Sequence, residues 1–546
     1  MSAQSQTPES HNQSPSQPEY VSAMREDSFY PHSVQTITLR ETHISRVFLT
    51  GPLVYKVKKP VEMGFLDFTT LEKREYYCHR EVELNQRLSS RVYEGVTAIT
   101  REEDGLQLDG PGPAEEYAVR MKQLDPEHSL TQMLPDKIDD TAVNRLARKL
   151  ARFYEQAATG REIDHFGTKE TIAGNCRENF QQLRQAGQEK IAQRYLQIIE
   201  AATRDFLEKN QDLLEKRISN GRIRDGHGDL RTDHVYFTED EIQIIDCIEF
   251  NDRFRYSDVA CDLAFLAMDL DFQGCHRLAG SLMTSFSEHS GDRQIFSLLD
   301  FYKCYRAMVR VKVSYLRLRQ EGLATGEKTK LIEQMNRYLG LAYRSAVQFS
   351  RPITWVVCGQ AATGKSTLAR ALADALNIEV IRSDVVRKEL FPEADSRAAE
   401  DRPFQEGIYS RNATALTYGQ LLLRAQEEIE KGDSVILDAT FSSRENRREV
   451  LRLAEETGAL PIFVECACDL QTIKKRLLQR SEKESISDAR VQHLEDLKAA
   501  YEEPRELSEQ CLIRIDSGKP LDKNLSDIFM YTATPRDCLE RGWLPT

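Results

Sequence analysis

The amino-acid sequence predicts two domains with different folds: an α+β N-terminal domain of two lobes and an α/β C-terminal domain built on a parallel sheet. The length of 546 residues is enough for about two to four domains. Strand patterns dominate up to about residue 125, and helical patterns follow as far as about residue 350. After residue 352, buried strands alternate with helices, which is typical of a parallel sheet covered on both faces.

The composition narrows the class of protein. Charged residues make up 29% and hydrophobic residues 40% of the chain, which excludes a collagen-like, coiled-coil or wholly disordered protein. The net charge of −13 argues against a protein that coats nucleic acid through bulk positive charge. No apolar run reaches the roughly 18 residues of a membrane helix, and the chain does not begin with a charged and then apolar leader.

Cysteine usage predicts a reduced protein. The 11 cysteines are scattered and none forms a CxxC pair. The closest spacing, Cys466 to Cys468, falls in an apolar run, where alternate residues share one face of a strand, so a buried pair is favoured over metal ligands. We therefore expect a cytoplasmic protein with no disulfide framework and no contact with membranes.

The N-terminal domain, residues 21–348, is predicted to follow a disordered tail, residues 1–20, which is rich in Gln, Ser and Pro. Alternating residues on both sides of Gly51-Pro52 predict a hairpin, and the charged segment after it predicts a helix capped by Thr69 or Thr70. Further strands are expected around residues 92–99 and 117–124, before helices from about residue 139 onward. A small β lobe followed by a larger helical lobe is the layout of a kinase.

Two carboxylates in the N-terminal domain stand in polar loops between short strands. Asp229 belongs to a tight His-Gly-Asp-Leu loop. Asp246 comes later in the chain, directly after the apolar run IQII. One carboxylate would orient or deprotonate an acceptor hydroxyl, and the other would hold Mg²⁺ between phosphates. A glycine turn with a helix-capping Asp is the alternative for the loop alone.

A phosphate-binding loop opens the C-terminal domain, residues 349–546. The apolar run before Gly359 predicts a buried strand, and the loop matches the pattern GxxxxGK[ST] before a predicted helix. Its backbone N–H groups would hold phosphate oxygens, Lys365 would reach the β and γ phosphates, and Ser366 would ligate Mg²⁺. The residues expected to bind ATP are Gly359, Gln360, Ala361, Ala362, Thr363, Gly364, Lys365, Ser366 and Thr367.

Two carboxylates follow strands of the C-terminal domain. Asp384 lies at the carboxyl end of the second strand, where open α/β sheets place ligands, with Arg387 and Lys388 three and four residues later. The group suits transfer of phosphate to an alcohol, the alternative being that Asp384 only caps its helix. Asp438 closes an apolar strand, as a Walker B carboxylate that holds Mg²⁺ does, and a strand-end turn residue is the alternative.

Two arginines stand one helical turn apart near the end of the chain. Arg476 and Arg480 are separated by four residues, so they share one face of a helix that would close over the phosphates. A solvated basic face is the equal alternative.

These motifs carry a resemblance to known families. Residues 352–517, through GQAATGKS, SDVVRKEL and VILDATFSSRENR, resemble P-loop small-molecule kinases of the AAA-type and zeta-toxin-like groups, and are similar to gluconate and 5′-hydroxyl polynucleotide kinases. By this resemblance, Asp384 and Arg387 act on the acceptor, and Arg476 and Arg480 act as lid arginines. The acceptor itself does not follow from the fold.

Residues 38–345 resemble the aminoglycoside phosphotransferase family, whose fold is kinase-like. HGDLRTDHVYF is similar to its catalytic loop, which implies that Asp229 is the catalytic Asp, and IIDCIEF to its metal segment, which implies that Asp246 is a Mg²⁺ ligand. The resemblance further implies that Lys56 holds the α and β phosphates and pairs with Glu81. Because Lys58 shares the strand face of Lys56, the register could differ by two residues.

One position departs from the family pattern. Five residues after the catalytic Asp the family has Asn, a second metal ligand, whereas this chain has His234. Imidazole can ligate metals, but Mg²⁺ prefers oxygen. Either His234 ligates, or a water or Glu249 takes its place, or this lobe binds one metal or has weakened activity.

Together the domains resemble bacterial bifunctional proteins that fuse a phosphotransferase to a P-loop ATP-binding domain. We predict a tandem ATP- and Mg²⁺-dependent phosphotransferase that acts on hydroxyl groups of small molecules, with one ATP site per domain. One alternative is a single active P-loop kinase with the N-terminal lobe as a substrate-binding or regulatory module. The other, which the net charge of −13 disfavours, is an RNA-end kinase. The sequence does not indicate an oligomeric state.

Overall fold

The computed structural model describes residues 17–34, 36–184, 193–320, 322–392, 408, 410–481 and 499–533, without the side chains of residues 480 and 481. The chain divides into two compact units. The first unit contains the residues up to 133 together with 227–255, and the second contains 134–226 together with the chain from 256 onward. The C-terminal α/β domain and the helical lobe therefore belong to the same unit, whereas the acidic loops belong with the β lobe.

The first unit contains an antiparallel sheet of six strands in the order β1-β2-β3-β6-β4-β5. The predicted hairpin is confirmed: β2 and β3 pair so that Val47 faces Lys56, and Thr50 N and Oγ1 both donate to Leu53 O to close the turn. The strands are β1 (Thr38–Glu41), β2 (Ser45–Leu49), β3 (Leu53–Lys58), β4 (Tyr93–Glu102), β5 (Gly105–Leu108) and β6 (Ala114–Lys122).

The end of the predicted N-terminal tail is helical. Residues 1–16 lie outside the described part of the chain, but Glu19–Ala23 (α1) is a helix. Tyr20 and Val21 are buried against the sheet, and Tyr20 Oη accepts a hydrogen bond from Arg46 Nη1. The prediction of a tail to residue 20 is therefore wrong at its end, because an aromatic and a β-branched side chain bury apolar surface there.

Helix α2 (Leu71–Ser89) crosses the sheet and anchors the acidic loops. It begins where predicted, because Thr70 Oγ1 accepts the hydrogen bond of Lys73 N. Its last turns hold the short hairpin of β8 (Val235–Phe237) and β9 (Ile242–Ile244), since Ser89 Oγ bonds both backbone groups of Ile244. Nearby, Asn85 Oδ1 accepts from Cys247 N at 2.8 Å. The segment that carries Asp246 is therefore fixed to the helix that carries Glu81.

Helices make up most of the remaining N-terminal domain, in the second unit. A short antiparallel pair joins β7 (Ile223–Asp225) and β10 (Tyr256–Asp258), and Arg217 forms a buried bidentate pair with Asp258. The helices are α3 (Leu130–Met133) in the first unit and α4 (Asp140–Gln156), α5 (Arg161–Asp164), α6 (Lys169–Arg184), α7 (Gln193–Lys209), α8 (Gln211–Ser219), α9 (Val259–Phe272), α10 (His276–Ser290), α11 (Ile295–Leu318) and α12 (Thr325–Ser350) in the second.

The C-terminal domain is a parallel five-stranded sheet in the order β12-β13-β11-β14-β15. Apolar clusters cover both faces, as expected for strands buried on two sides. Its strands are β11 (Ile353–Cys358), β12 (Glu379–Arg382), β13 (Val435–Asp438), β14 (Leu460–Ala467) and β15 (Leu512–Asp516). Its helices are α13 (Lys365–Leu376), α14 (Ser383–Leu390), α15 (Arg411–Glu430), α16 (Arg444–Thr457), α17 (Leu470–Ser481) and α18 (Leu521–Ala533).

The helical lobe packs directly on the parallel-sheet domain. Phe296 of α11 stacks on Phe529 of α18 with ring centroids 3.9 Å apart, and Ser297 Oγ donates to Ala375 O at 2.9 Å. The predicted fold class, a kinase-like α+β domain followed by an α/β domain, is confirmed. Among the described residues, no helix has both the length and the apolar composition that crossing a membrane requires.

Candidate active sites

The phosphate loop connects β11 to α13 and depends on residues with positive φ. Gly359 has φ +127°, and a Cβ there would lie 2.4 Å from Cys466 O, so only glycine fits. Ala362 (φ 62°) and Gly364 (φ +94°) turn the chain back before α13 begins at Lys365. The free N–H groups in the first turn of α13 therefore lie at the loop, which is the arrangement that binds phosphate.

Lys365 lies in the loop with little exposure to solvent. Its Nζ donates to Gln360 O at 2.7 Å, a neutral acceptor. Burial lowers the pKa of Lys365, and the nearby Asp438, Cys466 and Asp384 oppose that shift. The ammonium is thus buried with carboxylates nearby and a carbonyl as its hydrogen-bond acceptor.

Asp438 ends β13, beside the phosphate loop. In the sheet it pairs with Val357 of β11 and with Arg382 of β12, and Arg382 Nε lies 3.3 Å from Asp438 Oδ2. Asp438 is buried, at the carboxyl edge of the strands, as the sequence predicted for a Walker B residue. Ser366 lies in the first turn of α13, so a carboxylate and a hydroxyl are available on neighbouring elements.

Asp384 lies in the first turn of α14 but does not cap that helix. Arg382 occupies the N-cap position, and no hydrogen bond joins Asp384 to any described residue. Burial and the Asp438 carboxylate raise the pKa of Asp384, against the opposing charges of Lys365, Arg382 and Arg387. A partly buried carboxyl with a raised pKa and no structural partner in the described chain has the properties of a general base.

The four cations predicted near the transferred phosphate have different surroundings. Arg387 is buried and donates to Ile408 O and to Thr414 Oγ1, so it joins α14 to the start of α15 while its charge acts on Asp384. Lys388 is exposed. Arg476 lies over the phosphate loop: Nη1 is 3.4 Å from Ala362 O, and Nη2 donates to Ser517 O at 2.8 Å. The side chain of Arg480 lies outside the described residues.

The structure adds a residue that the sequence did not reveal. Tyr418 of α15 is buried, and its Oη accepts from Phe441 N at 3.0 Å and lies 3.1 Å from Thr440 Oγ1. Thr440 O in turn accepts from Gly359 N at 3.1 Å. Tyr418 therefore supports the backbone behind the phosphate loop, and the only sequence signal was a hydroxyl within an apolar helical face.

In the first unit, Lys56 of β3 lies between two carboxylates. Its Nζ is 2.8 Å from Glu81 Oε1 and 2.7 Å from Asp246 Oδ1. Burial lowers the pKa of Lys56, but the charges of Asp246, Glu81 and Glu249 together raise it well above its usual value. Lys56 in turn holds the pKa of Asp246 well below its usual range, against the effect of burial. The structure thus brings together the three residues that the sequence assigned to nucleotide and metal.

Lys58 continues this network on the buried side. Its side chain is 0% exposed, against 15% for Lys56, and Nζ is 2.7 Å from Glu81 Oε2 and forms a close ion pair with Glu249. Phe68 covers the ammonium, 4.9 Å from the ring centroid. Exposure distinguishes the two lysines that share this strand face: Lys56 has access to solvent, and Lys58 is internal.

Asp229 is positioned by two histidines. His227 is buried; its Nε2 donates to Ile245 O at 3.0 Å and its Nδ1 accepts from Asp229 N at 3.3 Å, which identifies the neutral Nε2–H tautomer. His234 Nδ1 donates to Asp229 O at 2.8 Å, and Arg231 Nη2 lies 3.1 Å from His234 Nε2. Both ring nitrogens of His234 face hydrogen-bond partners, so its ring helps to position the Asp229 loop. Its predicted metal contact stays a prediction.

Two family models match the chain. The model described as "Phosphotransferase enzyme family" matches residues 75–295, and the model described as "AAA domain" matches residues 355–504. The first match includes Glu81, Asp229 and Asp246 but begins after Lys56. The second includes the phosphate loop, Asp384 and Asp438. The chain is thus a fusion of two kinase-type domains, and it is a phosphotransferase.

The chain is 32% identical over 494 residues to the uncharacterized protein Rv2004c of Mycobacterium tuberculosis (strain ATCC 25618 / H37Rv), covering 90% of this chain and 95% of the relative. It belongs to the Rv2004c family. Another member, the uncharacterized protein Mb2027c of Mycobacterium bovis, has the same identity and coverage.

Solved structures are similar to the two halves of this Rv2004c-family chain. A gluconokinase from Sinorhizobium meliloti 1021 is 20% identical, covers 33% of the chain and 92% of its own length, and has a TM-score of 0.27. A choline kinase from Cryptosporidium parvum Iowa II is 8% identical, covers 59% of the chain and 92% of its own length, and has a TM-score of 0.35.

The donor atoms at both sites fit a magnesium ion. In the C-terminal domain they are the Ser366 hydroxyl and the Asp438 carboxylate, and in the first unit they are the carboxylates of Asp229 and Asp246, whose side chains are 29% and 47% exposed. Within the described chain no three His, Cys, Asp or Glu side chains converge as a protein-only metal site. Oxygen donors in small number suit Mg²⁺, which takes its other ligands from phosphates and water.

Proposed function

We propose that this protein carries two ATP-dependent phosphotransferase sites, one per domain, each acting on a hydroxyl group of a small molecule. One observation carries the proposal: each domain independently brings a lysine and two carboxylates close to one another. These are Lys56 with Glu81 and Asp246, and Lys365 near Asp384 and Asp438. Glu81, Asp438 and Lys365 are buried, which is costly unless opposite charges, here including a polyphosphate and its cation, compensate them.

In the P-loop domain, the backbone from Gly359 to Ser366 and the N-terminus of α13 would hold the phosphates of ATP. Lys365 would leave Gln360 O and contact the β and γ phosphates. The acceptor hydroxyl would lose its proton to the Asp384 carboxylate while its oxygen bonds to the γ phosphorus. The bond from that phosphorus to the β–γ bridging oxygen then breaks, and ADP leaves. Arg476, over the loop, would balance the charge that develops there.

In the N-terminal domain, Lys56 would hold the α and β phosphates, with Glu81 fixing its direction. Asp229 would orient the acceptor hydroxyl and take its proton, on a loop whose shape His227 and His234 maintain. At each site Mg²⁺ would supply charge neutralisation between phosphates. Asp246 would hold it in this domain, and Ser366 and Asp438 in the other.

The acceptor is proposed to be small because the net charge of −13 opposes binding to nucleic acid, with RNA ends as the weaker alternative. A cytoplasmic location, where ATP is supplied, fits the reduced cysteines, and those in the described chain are free. The fold does not select among alcohols, so the acceptor must be found by experiment.

The test is incubation with γ-labelled ATP, Mg²⁺ and a metabolite extract, followed by mass spectrometry of what gains phosphate. The matched control is the full-length variant that carries both Lys365→Ala and Asp229→Ala. A metabolite phosphorylated by the wild-type chain and not by the double variant is an acceptor. Failure of a well-folded wild-type chain to phosphorylate any metabolite, together with phosphorylation of a 5′-hydroxyl oligonucleotide, would replace this proposal with the RNA-end kinase.

A further inference from the structure

A cavity of about 550 Å³ lies inside the second unit, and its lining includes no residue of either candidate active site. One wall consists of the helices α7, α11 and α12, and the other of the beginnings of parallel strands at Ile353, Glu379, Ser434 and Leu460. The phosphate loop follows the opposite, carboxyl end of β11, so this cavity lies at the other edge of the same sheet. Its volume is in the range of small-molecule sites, about 300–1,000 Å³.

Aromatic side chains form much of the lining. Phe296 and Phe529 stack with centroids 3.9 Å apart, Phe206 and Phe349 meet edge to face at 5.2 Å, and Trp355 adds a third contact surface. Trp355 and Phe529 are otherwise buried. The faces of such rings attract cations as well as apolar groups.

One carboxylate in the lining has no partner among the described residues. Asp300 of α11 is partly buried and forms neither a hydrogen bond nor an ion pair there. The lysine one turn later, Lys303, is engaged by Asp271 at 2.8 Å. Burial raises the pKa of Asp300, and Lys303 only partly offsets that rise. Within the described chain the carboxylate is therefore incompletely compensated.

The cations in the lining do not supply that compensation. Lys209 Nζ donates to Lys431 O at 2.7 Å and lies 3.6 Å from Asp433, so its charge is already balanced. Arg351 Nε donates to Gly458 O at 2.7 Å, and Arg344 is exposed to solvent. Asp300 is therefore the partly buried charge in this cavity that still needs a counter-charge.

We propose that this cavity binds a small organic cation, whose ammonium group pairs with the Asp300 carboxylate and whose apolar body lies against Phe296, Phe349 and Trp355. The site is separate from both phosphotransferase sites and does not depend on their activity. Since its walls come from the helical lobe and from the parallel-sheet domain, a bound cation would contact both and stabilise their packing by mass action.

The experiment uses the full-length protein, with 2-phenylethylammonium as the probe and 2-phenylethanol as its neutral counterpart. Trp355 is one of 2 tryptophans in the chain and lines the cavity, so its fluorescence reports on the site. We expect saturable binding of the cation, detected by fluorescence and by calorimetry, and binding of the alcohol that is weaker by roughly 10-fold or more. The fluorescence change should disappear in Trp355→Phe, which would identify Trp355 as its source.

Asp300→Asn tests the carboxylate with almost no change of shape, and Asp212→Asn on α8 is the matched control, since Asp212 is exposed. Asp300→Asn should weaken binding of the cation by roughly 10- to 100-fold, and the control should not. The comparison of the two probes on the wild-type chain needs no variant. Equal affinity for cation and alcohol, equal effects of the two substitutions, or absence of saturable cation binding would each overturn the proposal.

Discussion

The two lysines assigned to phosphate have opposite surroundings. Lys56 lies within 2.8 Å of two carboxylates, which raise its pKa well above its usual value despite burial. Lys365 donates to a backbone carbonyl, and burial lowers its pKa. Lys56 thus forms ion pairs with two carboxylates of the protein. Lys365 has carboxylates nearby, but its hydrogen bond goes to a neutral carbonyl.

This difference determines whether an ion pair of the protein must break before each lysine can contact a phosphate. In the described chain Lys365 donates to a carbonyl and forms no ion pair, so phosphates could bind there without breaking one. Phosphates at Lys56 would compete with Asp246, which must release Lys56 Nζ before it can hold a cation. We therefore expect the P-loop site to bind ATP more tightly and to tolerate the loss of its lysine less well.

The largest expected effect follows from Lys365→Ala. Removing the charge that contacts the transferred phosphate should lower turnover at the P-loop site by roughly 10³-fold or more without unfolding the chain. The measurement is ATP turnover with an identified acceptor, and exposed Lys523→Ala is the matched control, which should keep wild-type activity. Turnover within tenfold of wild type would show that Lys365 does not contact the transferred phosphate.

Asp229→Ala, placed in a chain that already carries Lys365→Ala, tests whether the N-terminal site is a second catalyst. The single variant should retain turnover with an acceptor of the N-terminal domain, and the second substitution should lower it by roughly 10²- to 10⁴-fold, the usual value of a positioned acid or base. Should both proteins be equally inactive on a broad acceptor panel while nucleotide still binds, the domain is a regulatory module.

Much of this arrangement could be predicted from sequence, because strand ends and glycine loops follow from local patterns. The hairpin, the Thr70 cap and the phosphate loop are examples. Contacts that depend on distant segments could not be predicted. Glu249 meets Lys58 across 191 residues, so Lys58 is internal. Arg387 donates to Ile408 O and Thr414 Oγ1, which links α14 to the start of α15.

Asp384→Asn separates acceptor chemistry from nucleotide binding. The amide keeps the shape of the side chain but cannot take a proton, so transfer should fall by roughly 10²-fold while the affinity for ATP changes little. Calorimetry with a non-hydrolysable nucleotide and single-turnover kinetics measure the two quantities. A wild-type rate would show that Asp384 has no role in transfer. A loss of ATP affinity equal to the loss of rate would show that Asp384 acts in nucleotide binding.

Lys58→Met tests whether the internal lysine serves stability, in contrast to Lys56. It would leave the Glu81 and Glu249 carboxylates buried without their shared cation, which should lower the free energy of unfolding by about 3 kcal/mol or more. Chemical denaturation measures it, and Lys59→Met is the neighbouring control, where loss of the partly exposed pair with Glu41 should cost less than about 1 kcal/mol. Equal destabilisation by the two variants would remove the distinction between Lys58 and a partly exposed lysine.

The smallest effect concerns the pH dependence of the P-loop site. Burial and Asp438 raise the pKa of Asp384 above its ordinary value of 3.8, and a base must be ionised to act. Turnover should therefore rise with pH along an acid limb that lies above that of an ordinary aspartate. Because Arg382 lowers the pKa of Asp384, Arg382→Gln should move that limb to higher pH.

The pH profile of kcat is best measured in the Asp229→Ala background, where transfer at the N-terminal site is removed. Arg452→Gln, which changes an exposed guanidinium on α16, is the matched control and should leave the limb in place. The direction of the shift is the informative quantity. A limb that moves to lower pH in Arg382→Gln, or that moves equally in the control, would mean that a group other than Asp384 accepts the proton. The P-loop site would then use a base other than Asp384, and the two domains would differ in their base as well as in the surroundings of their lysine.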